Sequence, residues 1–120
     1  YTNSAGLVAH ELLIDLAEYT ETGLTVMDFA KRLIDYGFHP STCAWPISTG
    51  RLIEPSESES LAEIERFCEA MLAIKVEADE VHSGKALKDK NLPKRAPHTI
   101  EVMTRPEEEW DVPYSRARAA

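Results

Sequence analysis

Hydrophobic and polar positions along the chain predict two helices and a few short extended pieces. Leu7 to Leu16 reads LVAHELLIDL, with Val8, His10, Leu12, Ile14 and Leu16 alternating against Ala9, Glu11, Leu13 and Asp15. A period of two favours a buried strand over a helix, although so short a run does not by itself separate them. TETG then reads as a turn closing on Gly23. Thr25 to Tyr36 has helical spacing, with Phe29, Ala30, Leu33 and Ile34 on an apolar stripe and Lys31, Arg32 and Asp35 expected in water. Thr25 with Asp28 forms a variant capping box, and Gly37 stands where helices reverse into the left-handed conformation.

Thr42 to Ile47 and Arg51 to Glu54 predict two short strands around a Ser48-Thr49-Gly50 turn, in an antiparallel sheet with the first strand. Pro46 restricts its strand to an edge or a bulge. The second helix is expected from Glu57 to Val81, capped by Ser56 with Glu59, and ended by Gly84. Its apolar stripe is Leu61, Ile64, Phe67, Cys68, Met71, Ile74, Ala78 and Val81. The pattern then breaks down. Residues 85–120 carry Pro93, Pro97, Pro106 and Pro113 and read as an irregular extension on a core of residues 1–84. Within it, His98 to Thr104 forms either a short strand or a helix turn. The fold class is α+β, a small antiparallel sheet covered by two main helices.

Composition narrows the function classes. Among 120 residues, 21 acids against 13 bases give a net charge of −8, the wrong sign for nucleic acid or an anionic membrane. No run approaches the roughly 18 apolar residues of a membrane span, and no signal-peptide pattern opens the chain. Starting on Tyr1 rather than methionine is what a fragment or processed product would show. Cys43 and Cys68 form no disulfide framework or metal spacing, which suits a reducing compartment.

Candidate chemistry is sparse. His39 and Cys43 could make a nucleophilic pair only if folded together, and Pro40 between them removes the helical proximity that would do so. Cys68 is expected in the core of the long helix, His10 as a structural histidine in the first strand, and His82 at a helix end. Glu57, Glu59, Glu63 and Glu65 read as a solvated face, matching no calcium loop. No metal site and no phosphate-binding or acyl-transfer motif is present. The basic run 85–95 reads as a solvated loop lying against the acidic helix. No complete catalytic constellation emerges.

A family resemblance adds what spacing does not show. AHELLIDL, GLTVMDFAKRLIDYGFHPST, WP, IEPSESES, AEIERFCEAM and APHT, in that order and ending with PYSR, cover residues 8–116. They resemble the C-terminal part of the glycine dehydrogenases (decarboxylating), the P-proteins of the glycine cleavage system. The resemblance implies the small C-terminal domain of a fold-type I enzyme. In that family pyridoxal phosphate is bound mainly by a large domain, and the aminomethyl group left by glycine decarboxylation passes to lipoylated H-protein. The cofactor lysine and its motif have no counterpart here, so the chain alone is expected to be inactive and to bind no cofactor.

On the resemblance, His39, Thr42, Trp45, Glu54 and His98 are expected either beside the substrate entrance or packing the domain interface, with none of them catalytic. Expected partners are the cofactor-binding large domain or subunit, H-protein, and a second copy through the exposed interface. The alternative is a free-standing, non-catalytic interaction module derived from that domain. The compartment would be the cytoplasm of a bacterium or the mitochondrial matrix of a eukaryote.

Overall fold

A computed structural model describes residues 1–112, so Pro113 and the PYSR string lie outside the described residues. Its sheet has three antiparallel strands, β1 (Leu12–Asp15), β2 (Thr42–Cys43) and β3 (Gly50–Ile53), in the order β1-β3-β2. Leu12 stands opposite Ile53 and Ile14 opposite Arg51, while Cys43 faces Arg51 from the other edge. Two main helices, α1 (Val26–Asp35) and α2 (Leu61–His82), complete the predicted α+β architecture. Their inner faces, with Leu16, Tyr19 and Leu24, form the core against which Ile14 and Cys43 of the sheet pack.

β1 is shorter than the alternation predicts. The Asn3 side chain accepts hydrogen bonds from the Ala5 and Leu7 amides, folding the N-terminal residues into a turn. Val8 and His10 are therefore exposed rather than in a strand, and His10 is no structural histidine of the core. The expected turn before Gly23 is one end of a 3₁₀ helix, Ala17–Thr22. That helix buries Tyr19 against Phe29, with ring centroids 5.4 Å apart, and Tyr19 Oη donates to Asp79 at 2.7 Å.

α1 starts and stops as its sequence dictates. The Thr25 amide donates to Asp28 Oδ2 at 2.8 Å, and the Asp28 amide reaches back to Thr25 Oγ1 at 3.4 Å. At the other end the Phe38 amide donates to the Leu33 carbonyl and the Gly37 amide to that of Ile34, the paired bonds of a Schellman motif. Gly37 has φ +78°, where a side chain would be strained. Phe29, Ala30 and Leu33 are buried, but Ile34 is exposed.

Arg32 and Asp35 reverse the expected orientation and face inward. Arg32 Nε and Nη2 form a bidentate pair with Glu77 on α2, at 2.9 and 2.8 Å, and Nη1 reaches Asp35 Oδ2 at 2.8 Å. The guanidinium is 4.9 Å from the centre of the Tyr36 ring. Glu77 supplies the physical reason, since a carboxylate on the buried stripe of α2 needs a cation.

The β2–β3 connection is tight. Ala44 takes φ +58° after only two β2 residues, the Trp45–Pro46 peptide is cis, and the expected strand through Ile47 stops there. A Cβ on Gly50 would come within 2.6 Å of Ile47 Cγ1 and 3.0 Å of Leu13 Cδ1, so a larger residue here would force the Ile47 side chain to move.

α2 begins four residues later than expected. Ser60, not Ser56, caps it, accepting from the Glu63 amide at 3.2 Å. Both serines have an acid three residues on, and Ser56 instead turns the chain at φ +42°. Glu57 and Glu59 therefore precede the helix. Ile74, Ala78 and Val81 are buried as predicted, but Leu61 and Cys68 are exposed, so Cys68 is not a core residue.

After Gly84, two single-turn helices follow, α3 (Leu92–Arg95) and α4 (Ile100–Met103), so His98 to Thr104 holds a helix turn rather than a strand. Lysines of the basic run reach α1 and the 3₁₀ segment rather than the long helix. Lys94 pairs with Asp28 at 2.8 Å and Lys88 donates to the Glu21 carbonyl at 3.1 Å.

Replacing one member of the buried ion cluster leaves its partners unpaired away from water. Arg32→Met is expected to lower unfolding free energy by about 3–5 kcal/mol. Lys75→Met, which breaks an exposed pair with Asp79, is expected to cost far less, because solvent screens that pair. Urea denaturation of both variants checks the contrast; equal losses would contradict it.

Candidate functional site

One pocket collects several of the predicted residues. The α1 exit (Gly37, Phe38, His39, Ser41), the end of β3 (Ile53, Glu54, Pro55) and the approach to α2 (Glu59 to Phe67) enclose about 330 Å³. The Schellman turn after α1 points Phe38 at Phe67, where the rings meet edge to face at 5.2 Å. Arg66 covers the outer side of Phe38 with its guanidinium 3.8 Å from the ring centre. It also donates to both Glu63 oxygens, at 3.0 and 2.6 Å, and to the Tyr36 carbonyl at 2.8 Å. The Arg66 hydrogen bonds hold the Glu63 carboxyl below its ordinary pKa. An apolar floor under Glu54, Glu59 and Glu63 suits an uncharged or cationic group and repels an anion.

The predicted residues divide. His39 and Glu54 both line this pocket, and His39 Nδ1 lies 3.2 Å from the Pro40 carbonyl. Thr42 is exposed on β2, and Trp45 is exposed on the turn beyond it. His98 is elsewhere, buried against α1. Its amide donates to Asp35 Oδ1 at 2.7 Å and its Nδ1 lies 2.6 Å from Asp35 Oδ2. Sequence reasoning missed Phe38, Phe67 and Arg66, and it missed the Arg32–Glu77–Asp35 cluster. The hydrophobic residue after a helix-ending Gly37 was a usable signal for Phe38. Glu77, three residues from Ile74 on the inner stripe, was one for Arg32.

Pyridoxal phosphate does not fit this pocket. No lysine lines it to form a Schiff base, and three glutamates stand where a phosphate dianion would enter. Lys31 and Lys94 are paired with Asp28, and Lys75 with Asp79. Among the described residues no group of three or more His, Cys, Asp or Glu could hold a metal ion. Nor is any helix among them long and apolar enough to cross a membrane.

Comparison with known proteins gives a consistent picture. Residues 1–98 match the family model described as glycine dehydrogenase, C-terminal domain. The glycine dehydrogenase (decarboxylating) of Prochlorococcus marinus is 50% identical over 121 residues, covering 100% of this chain and 12% of that relative. Those of Agrobacterium fabrum and Rhizobium etli are 50% and 51% identical over 98% and 99% of the chain, again 12% of each relative. The chain thus spans about an eighth of the length of these curated relatives.

Burial alone would raise the pKa of Asp35, but the His98 ring, the His98 amide and Arg32 outweigh it and hold the carboxyl below its ordinary value. A depressed carboxyl stabilises the fold above its unfolded pKa, near 3.9, and that stability is lost as pH falls through the folded value. The stability gap between the unaltered chain and Asp35→Asn is therefore expected to shrink as pH falls below about 4. Urea titrations across that range check it; a gap independent of pH would contradict it.

Proposed function

Because the chain belongs to the family of glycine dehydrogenase C-terminal domains, we propose that it works as that domain of a glycine dehydrogenase (decarboxylating), at the entrance to the active site. The carrying observation is identity near 50% along essentially the whole chain, with the family match over residues 1–98. In this reading pyridoxal phosphate belongs to a large domain or subunit, where it supplies the electron sink for decarboxylation. This chain's part is to shape the approach for glycine and for the lipoyl arm of H-protein. His39 and Glu54 contribute polar groups to the pocket alongside Ser41, Glu59 and Glu63, while Thr42 and Trp45 face an incoming partner from the β2 turn. His98 acts from behind through Asp35. The division proposed is a core of residues 1–84 with an extension over 85–120, whose described part reaches the core through the Lys94–Asp28 and His98–Asp35 contacts.

A second observation bears on partners. Leu61, Cys68, Leu72 and Val76 are all exposed on α2, at spacings that place them on one outer stripe. This helix is apolar on two sides, and a large domain would cover the second. The same stripe suits the alternative, a free-standing interaction module that covers it with a partner or a second copy. Sedimentation at high concentration is expected to show self-association that Leu72→Glu with Val76→Glu abolishes. A strictly monomeric profile for the unaltered chain would count against the exposed stripe as an interface.

Reconstitution tests the enzymatic reading. The chain is mixed with a separately purified large domain carrying the cofactor lysine, and glycine-dependent CO₂ exchange is followed with lipoylated H-protein. Activity is expected only in the mixture. Trp45→Ala is expected to raise KM for H-protein about tenfold, as loss of an aromatic contact would. Absence of both binding and activity, with each piece folded, would overturn this reading and leave the interaction module.

A further inference from the structure

Arg51 is the one fully buried side chain in the described structure with a charge that no carboxylate answers. It stands in the middle of the sheet, on β3, with no exposed surface. Nη2 donates to Ser41 Oγ at 2.9 Å, while Nε and Nη1 have no hydrogen-bond acceptor. No salt bridge joins Arg51 to an acid among the described residues, and acids of the neighbouring elements are engaged with other partners. Asp35 and Glu77 hold Arg32, and Asp15 accepts from Thr49 and the Ala17 amide. A buried guanidinium with two idle donors is costly, and it marks a place where an anion would be welcome.

Cys43 is the side chain placed to become that anion. It pairs with Arg51 across the β2–β3 ladder and is half-buried, within reach of a small solute. Burial pushes the Arg51 pKa down, and negative charge on neighbouring Cys43 acts in the opposite direction. As a thiol, Cys43 donates to the Ser41 carbonyl, 3.2 Å from Sγ. As a thiolate it can only accept, and Arg51 offers donors from the neighbouring strand. Ser41 connects the two through its carbonyl and its hydroxyl.

We infer that Cys43 is a modification site, a thiol oxidised by hydroperoxides to a sulfenic acid, with Arg51 as the cation that stabilises the sulfur anion. The thiolate sulfur attacks one peroxide oxygen, so that an S–O bond forms as the O–O bond breaks. Sulfur loses two electrons and the peroxide gains them. Its other oxygen leaves as hydroxide and takes up the proton given by the thiol, as water. Cys68 is the internal control, since it is more exposed and belongs to no such cluster.

The 120-residue chain is treated with hydrogen peroxide at pH 7 in the presence of dimedone, and adducts at Cys43 and Cys68 are followed by mass spectrometry. Cys43 is expected to label about tenfold faster than Cys68, because only Cys43 has a buried cation beside it. Arg51→Met is expected to bring Cys43 down to the Cys68 rate, and Arg51→Lys to restore most of the difference. Labelling of Cys68 as fast as Cys43 in the unaltered protein overturns the inference, whether or not Arg51→Met folds. So does an unchanged Cys43 rate in an Arg51→Met protein with native circular dichroism.

Discussion

The bidentate pair between Arg32 and Glu77 is the constraint on which the arrangement of the chain depends. All of its charged atoms lie away from water, and each guanidinium nitrogen has a carboxylate oxygen within 2.9 Å. Fork-to-fork geometry tolerates little sliding, so the pair fixes α1 against α2 along their axes as well as in distance. Asp35 carries the constraint further by serving Arg32 and His98 with the same Oδ2. Three separate stretches of chain, around residues 32, 77 and 98, therefore meet in one hydrogen-bonded cluster. Leu33 and Ile74 supply the apolar burial beside it. A purely apolar contact could stabilise the helices as well, but it would not select one register so sharply.

Local signals in the sequence reported faithfully on local structure. Thr25 and Asp28 form the predicted box, Gly37 takes the left-handed conformation, and the sheet is antiparallel with the strands near their expected places. Errors arose where a pattern was locally degenerate or its meaning lay far along the chain. Ser56 and Ser60 offer the same capping spacing, and only the turn at Ser56 decides between them. Val8 and His10 continue an alternation that Asn3 has already diverted. Arg32 looked like a surface cation because its partner lies 45 residues away. Cys68 looked like core because α2 is apolar on two sides, and periodicity cannot tell which side the domain itself covers.

The candidate site was half legible. The loop after α1 carries His39 and Trp45, both expected as site residues from the family resemblance, and it contributes His39 to a pocket with Glu54. The pocket's floor is the Phe38–Phe67 pair, which joins elements nearly 30 residues apart and left no local motif. His98 is drawn into the interior by Asp35 instead of joining that pocket. An acidic rim, a floor of rings and an uncovered helix stripe are the features on which the proposed docking to another body rests.

If that other body is a large cofactor-binding domain, it covers both this pocket and the outer stripe of α2. Hydrogen exchange of the chain, free and mixed with that domain, is the decisive measurement. Slowed exchange is expected in two stretches, residues 37–55 and residues 61–76 of α2, with little change at β1. Unchanged exchange in both stretches on saturating addition of the folded large domain would contradict the proposed docking.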